Sequence, residues 1–167
     1  SPLGDVGRSV AVTSDGGYVA AGYTYATGSA NHAKFWVVRL DADGQLQWQR
    51  TYGGDNSMQR AYAIQETADG GYIVAGENNP GYLNNFWIMK LDFNGTPAWE
   101  MIYSSSTGTD KANAVRQTSD GGYIVAGESA YDFWVIKLHA DGTVAWEKRY
   151  DYNGWNKAND IRQTSDG

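Results

Sequence analysis

The ten residues TSDGGYIVAG at positions 118–127 return almost unchanged as TADGGYIVAG at 67–76 and more loosely as TSDGGYVAAG at 13–22. The first four letters, TSDG, stand again at 164–167. Ser14, Ala68, Ser119 and Ser165 are therefore equivalent, and they lie 54, 51 and 46 residues apart. A fixed period of this size is the mark of a repeat architecture. Three more anchors recur in register: Phe35-Trp36, Phe86-Trp87 and Phe133-Trp134; Trp48, Trp99 and Trp146; Tyr52, Tyr103 and Tyr150.

Each unit reads as four short strands, A to D. Strand A is RSVAV, AYAIQE or ANAVRQ, followed by an Asp-Gly-Gly turn. Such a turn signals a hairpin because these residues tolerate positive φ. Strand B is YVAAG or YIVAG, and strand C is FWVVRL, FWIMKL or FWVIKL. A second tight turn, DADG, DFNG or HADG, leads to strand D, QLQWQRTY, TPAWEMIY or TVAWEKRY. Four strands in about 50 residues match one blade of a β-propeller. The competing arrangement is an internally duplicated β-sandwich; the regular four-strand period favours the propeller. Small residues in strand A (Ala61, Ala63, Ala112, Ala114, Ala158) suit the crowded inside of a ring. Charged residues in strand D (Arg50, Glu100, Glu147, Lys148, Arg149) suit an exposed outer edge.

The stretch TSDGGYIVAG…DFWVIKLHADGTVAWEKRY resembles the tandem β-propeller repeats of secreted and cell-surface proteins from bacteria and archaea. LDADGQLQW is also distantly similar to the Asp-x-x-Gly-x-x-x-Trp hairpin of quinoprotein propellers. The first resemblance covers nearly the whole chain and implies an extracellular or surface-attached propeller with no particular ligand. The second implies no activity here, since that chemistry needs a complete ring and a bound quinone with calcium.

The expected fold is thus all-β: one propeller repeat region over residues 1–167. Its blades lie near 8–52, 60–103 and 112–150, and residues 158–167 begin a fourth as an extra strand. Three blades do not close a ring, which needs four to eight, and a terminal repeat with no neighbour exposes its apolar face. Three arrangements follow: a section of a longer propeller, two copies closing a ring of about six blades, or a head-to-tail filament. Val10 and Val12 at one end and Ile161 and Arg162 at the other are the expected self-association edges.

Composition narrows the function. There is no cysteine, so thiolate chemistry and disulfides are excluded. The net charge is −6 with only 13 Lys+Arg, and no basic stripe for nucleic acid is present. No apolar run is long enough to insert in a membrane as a helix. His32 and His139 fall at opposite strand ends, which argues against a His-based catalytic or metal site. Asp15, Asp69 and Asp120 read as turn residues, and the DADG and DFNG turns lack the ligand set of a calcium loop. Neither an enzyme nor a cofactor is expected.

Length variation is confined to the B–C and D–A connections, which share one end of an antiparallel meander. The B–C loops read as 12, 9 and 5 residues (23–34, 77–85 and 128–132). That face carries Tyr25, Tyr82, Tyr131, Tyr152, Asn79, Asn84, Asn153 and Trp155. Trp155 alone among the seven tryptophans has no counterpart in the other units. The expected function is a non-catalytic extracellular structural or adhesive module that self-associates through its blade edges. The alternatives are a glycan- or protein-binding module using this aromatic face, and a section of a larger propeller enzyme.

Overall fold

The computed structural model describes residues 4–25, 32–81, 83–105 and 108–166. Tyr82 lies outside them. The described residues are all-β, with twelve strands in two sheets and no helix. The first meander comprises β1 (Asp5–Val12), β2 (Tyr18–Tyr25), β3 (Ala33–Leu40) and β4 (Leu46–Tyr52). The second comprises β5 (Met58–Glu66), β6 (Tyr72–Asn79), β7 (Asn85–Leu91) and β8 (Pro97–Tyr103). The third comprises β9 (Asp110–Gln117), β10 (Tyr123–Ser129), β11 (Asp132–Leu138) and β12 (Val144–Tyr150). Within each, every strand pairs antiparallel with the next. A single parallel bridge, Ala33 with Met58, joins the first two meanders into one eight-stranded sheet.

The Phe-Trp pair explains how the sheets stack. Adjacent residues of a strand point to opposite faces, so one dipeptide serves two interfaces. Phe35 faces the second meander and meets Trp87 at 4.4 Å between ring centroids; Phe86 meets Trp134 of the third at 4.5 Å. Around the first contact, Val19, Ala21 and Val37 pack on Tyr72, Val74 and Met89. Around the second, Ile73, Ala75 and Ile88 pack on Tyr123, Val125 and Ile136. The outer tryptophans repeat the device, Trp48 edge-on to Tyr72 and Trp99 edge-on to Tyr123, both at 5.8 Å. Burying these rings is the main stabilising term, about 25 cal/mol per Å² of apolar surface removed from water.

Polar contacts pin the same register. Along the inner side, the Ser14 N–H donates to Glu66 Oε2 (2.7 Å) and the Ala68 N–H to Gln117 Oε1 (2.8 Å). Along the outer side, the Tyr52 hydroxyl donates to the Gly95 carbonyl (2.6 Å) and the Tyr103 hydroxyl to that of Gly142. Burial pushes the Tyr103 hydroxyl up to about 12, with a smaller contribution from Asp141. The A strands of successive meanders touch, β1 with β5 and β5 with β9, whereas the D strands do not approach comparably. The meanders converge at A and splay at D.

Each A strand contains a bulge, whose extra residue is Arg8, Tyr62 or Asn113. The bulge brings a carbonyl onto the last letter of the repeated VAG or AAG. A Cβ would sit 1.8 Å from the Val6 oxygen at Gly22, 2.0 Å from that of Arg60 at Gly76, and 1.9 Å from that of Lys111 at Gly127. Only glycine fits there, which is why the letter recurs.

Two expectations are corrected. The B–C connections are shorter than 12, 9 and 5 residues because strand pairing continues into them: Tyr25 pairs Ala33, Asn78 pairs Asn85, and Ser129 pairs Asp132. Tyr25 and Asn79 are consequently strand residues and not loop residues. Residues 156–166 form no strand. Among the described residues no strand pairs with that segment, although it follows the third meander closely.

Candidate functional site

The Asp-Gly-Gly turns are structural. Thr13, Thr67 and Thr118 each donate a hydroxyl hydrogen bond to the aspartate two residues on, which also accepts from the N–H of Gly17, Gly71 or Gly122. A strand C cation then pairs with it: Arg39 with Asp15 (2.5 Å), Lys90 with Asp69 (2.9 Å) and Lys137 with Asp120 (2.8 Å). Burial alone would raise Asp69, but hydrogen bonds from Thr67 and Lys90 outweigh it and hold the carboxyl at about 2. The Lys137 hydrogen bond, then that of Thr118, lowers Asp120 further. In the unfolded chain these groups titrate near ~3.9. Below that value the unfolded chain binds more protons than the folded one, so this contribution is complete above about pH 4 and lost as pH falls toward about 2. Thermal melting should show a falling midpoint between pH 4 and pH 2, and Asp69→Asn should flatten that dependence. An unchanged slope in the variant would remove these turns from the account.

The C–D turns are similar. Asp41 Oδ1 accepts from the N–H groups of Asp43 (3.0 Å) and Gln45 (2.8 Å), and Asp92 Oδ1 from those of Asn94 (2.9 Å) and Thr96 (2.7 Å). His139 occupies the same slot in the third turn, where its N–H donates to the Thr143 carbonyl. Among the described residues no three His, Asp or Glu side chains gather as a metal site.

At the opposite end lies an open cleft of about 410 Å³. Its walls are Leu83 from the β6–β7 loop, Thr109 before β9, and two aromatic side chains, Tyr131 and Trp155. The Tyr131 and Trp155 rings meet at 4.9 Å and 72°, forming a corner, and they are 60 % and 80 % exposed. The corner is held by Asn156, whose backbone N–H donates to the Tyr131 carbonyl at 2.7 Å. The floor is an ion pair, Lys111 with Glu128 at 2.9 Å. Ala130 and Tyr131 close the β10–β11 hairpin with φ of 58° and 125°. Both values lie in the region that costs non-glycine residues about 1–3 kcal/mol each.

The other expected residues divide. Asn84 is tied to this region, since its carbonyl accepts from the Asp110 N–H (2.8 Å). Its side chain donates to Glu77 (2.5 Å) and accepts from Asn79 (2.6 Å), so both asparagines are engaged internally. Tyr25 sits apart, edge-on to Tyr23 at 5.6 Å in the first meander. Tyr152 is exposed beyond the cleft, and Asn153 forms a turn at φ 45°.

Sequence reasoning missed the fully buried Glu77, which pairs with Arg60 at 3.0 Å. Arg60 in turn lies over the Tyr23 ring at 5.3 Å. The equivalent pair in the third meander is Lys111–Glu128, and Tyr23 replaces the glutamate in the first. The signal was a cation early in strand A matched by a glutamate after the VAG glycine.

No helix among the described residues is long and apolar enough to cross a membrane. No protein-family model matches the chain, and a search of curated proteins finds no match.

Proposed function

We propose that the three meanders are β-propeller blades and that the protein is a non-catalytic structural module that associates with itself through its two outer blade faces. Convergence at the A strands with splay at the D strands supports a wedge-shaped unit. One observation carries the functional reading: the ends of the stack carry the two halves of the interface that occurs twice inside it. Val10, Tyr18, Trp36 and Val38 lie on the outward face of the first meander, at positions equivalent to the buried Ile64, Tyr72, Trp87 and Met89 of the second, and Val12 lies beside them where the second carries Glu66. Phe133, Trp146 and Tyr150 lie on the outward face of the third, equivalent to Phe86, Trp99 and Tyr103. Val10 and Val12 are 68 % and 69 % exposed and Trp146 is 46 % exposed. Exposed apolar patches of this kind mark interaction surfaces.

The partner is a second copy of the chain, joined front to back. Such contacts are heterologous, closing a ring of about six blades from two copies or continuing as a filament. The repeat resemblance implies an extracellular or cell-surface location, where such a self-associating module would serve a structural or adhesive role. Electron microscopy of the purified chain should show rings or fibres. A field of isolated three-blade particles at high concentration would contradict this reading.

The Tyr131–Trp155 corner favours a second reading, binding of a sugar ring or a protein side chain in the cleft beneath it. Aromatic side chains of this kind act as interface anchors. Trp155→Ala should then abolish retention on a glycan array without altering particle mass. Unchanged retention would dismiss the cleft as a glycan site.

A further inference from the structure

Residues 156–166 form no strand but make the contacts to the third meander that an A strand makes to the meander before it. The Ser119 N–H donates to Gln163 Oε1 at 2.8 Å, as the Ser14 N–H does to Glu66 and the Ala68 N–H to Gln117. The Ala158 N–H reaches the Gly127 carbonyl (3.2 Å), Asn113 donates to the Ala158 carbonyl (2.8 Å), and Arg116 pairs with Asp160 (3.0 Å). The segment is seated on the third meander much as β9 is seated on the second. Beside it runs a groove of about 340 Å³, bordered by Ile124, Val135, Trp146 and Ile161. At the internal interfaces the corresponding place, next to Trp48 or Trp99, holds Tyr72 or Tyr123. In the first meander the equivalent residue is Tyr18, which is 38 % exposed.

β1 is a poorer candidate for that seat than residues 158–163. It carries Val12 where the others carry Glu66, Gln117 and Gln163, and valine cannot accept a hydrogen bond. Seating β1 on the third meander would displace Gln163 and leave the Ser119 N–H unpaired at an interface, which is costly.

We propose that the copies join by strand exchange: residues 158–163 of one copy replace β1 in the first meander of the next, pairing with its β2 and drawing its Tyr18 against Trp146. This rests on the assembly reading above. The register follows from β9 and β10, where Val115 faces Val125 and Gln117 faces Tyr123. Transferred to the exchanged pair, Ile161 faces Ala20 of the other copy and Gln163 faces its Tyr18. Strand addition of this kind uses the backbone ladder for affinity and the side-chain pockets for specificity.

The absence of cysteine makes the test clean. Under oxidation, an Ile161→Cys/Ala20→Cys variant should give disulfide-linked multimers on a non-reducing gel. Within one copy these positions lie on meanders separated by the second, so an internal bond cannot compete. Conversely, Val10→Cys/Ala20→Cys joins residues that already face each other in one copy. Oxidation should lock β1 in place and abolish association, and reduction should restore it. If the wild-type chain associates but the first variant shows no more cross-linking than its single-cysteine parents, or the locked variant associates as well oxidised as reduced, strand exchange is wrong and assembly stands. If the wild-type chain does not associate at all, both fall.

Discussion

Mixing Trp36→Glu with Trp146→Glu is expected to yield a 1:1 complex that neither variant forms alone. Trp36 lies on the outward face of the first meander, held by a hydrogen bond from its Nε1 to Gln49 (3.1 Å), and Trp146 lies on the outward face of the third. A front-to-back contact uses one face from each copy. In a solution of either variant every contact therefore includes a damaged face. In the mixture, the intact third-meander face of the Trp36→Glu copy meets the intact first-meander face of the Trp146→Glu copy. A central aromatic anchor contributes about 2 kcal/mol or more, so each variant alone should weaken association roughly 30-fold or further. Neither ring belongs to the internal cores, so both variants should fold. Sedimentation velocity reads the result, and a mixture that sediments as the sum of its components would mean that the contact is not head-to-tail.

Trp134→Ala should lower unfolding stability by about 3–5 kcal/mol, the usual cost of emptying a large aromatic site. Trp134 is 2 % exposed, wedged between Phe86 and the Arg149 guanidinium, which lies 4.4 Å from its ring centroid. Against a typical total of about 5–15 kcal/mol, that loss separates the third meander from the second. Trp134→Phe should cost much less, because it keeps a ring in place and removes a buried indole N–H that has no partner. Trp155→Ala should stay within about 0.5 kcal/mol of wild type, as expected for an exposed side chain. Urea denaturation compares the three. Equal losses for Trp134→Ala and Trp155→Ala would refute the division between repeated core tryptophans and the solitary surface one.

The strand segments and both tight turns were legible because period-2 patterning and Asp-Gly turns act locally; which neighbour each ring of the Phe-Trp pair meets was not. The B–C hairpins were not. Ala130 and Tyr131 adopt positive φ without the glycine or asparagine that usually announces it, so a two-residue turn was hidden inside an apparent five-residue loop. The bulges were equally silent, since their extra residues, Arg8, Tyr62 and Asn113, share no chemistry; only the facing glycine hinted at them. Of the candidate site, Tyr131 and Trp155 converge, whereas Asn84 donates to Glu77 and Asn79 to Asn84. That buried carboxylate depends on neighbours brought from distant positions, which no local pattern records. The Gln163 contact was invisible for the same reason: its meaning comes from Glu66 and Gln117 doing the same work on earlier meanders.

Everything turns on whether the outer faces find each other. Sedimentation equilibrium of the unmodified chain over a wide concentration range measures this without assumption about shape. The account predicts a weight-average mass that climbs above the 18.3 kDa of a single chain toward two copies or beyond. A folded species that holds that single-chain mass at every concentration would contradict it.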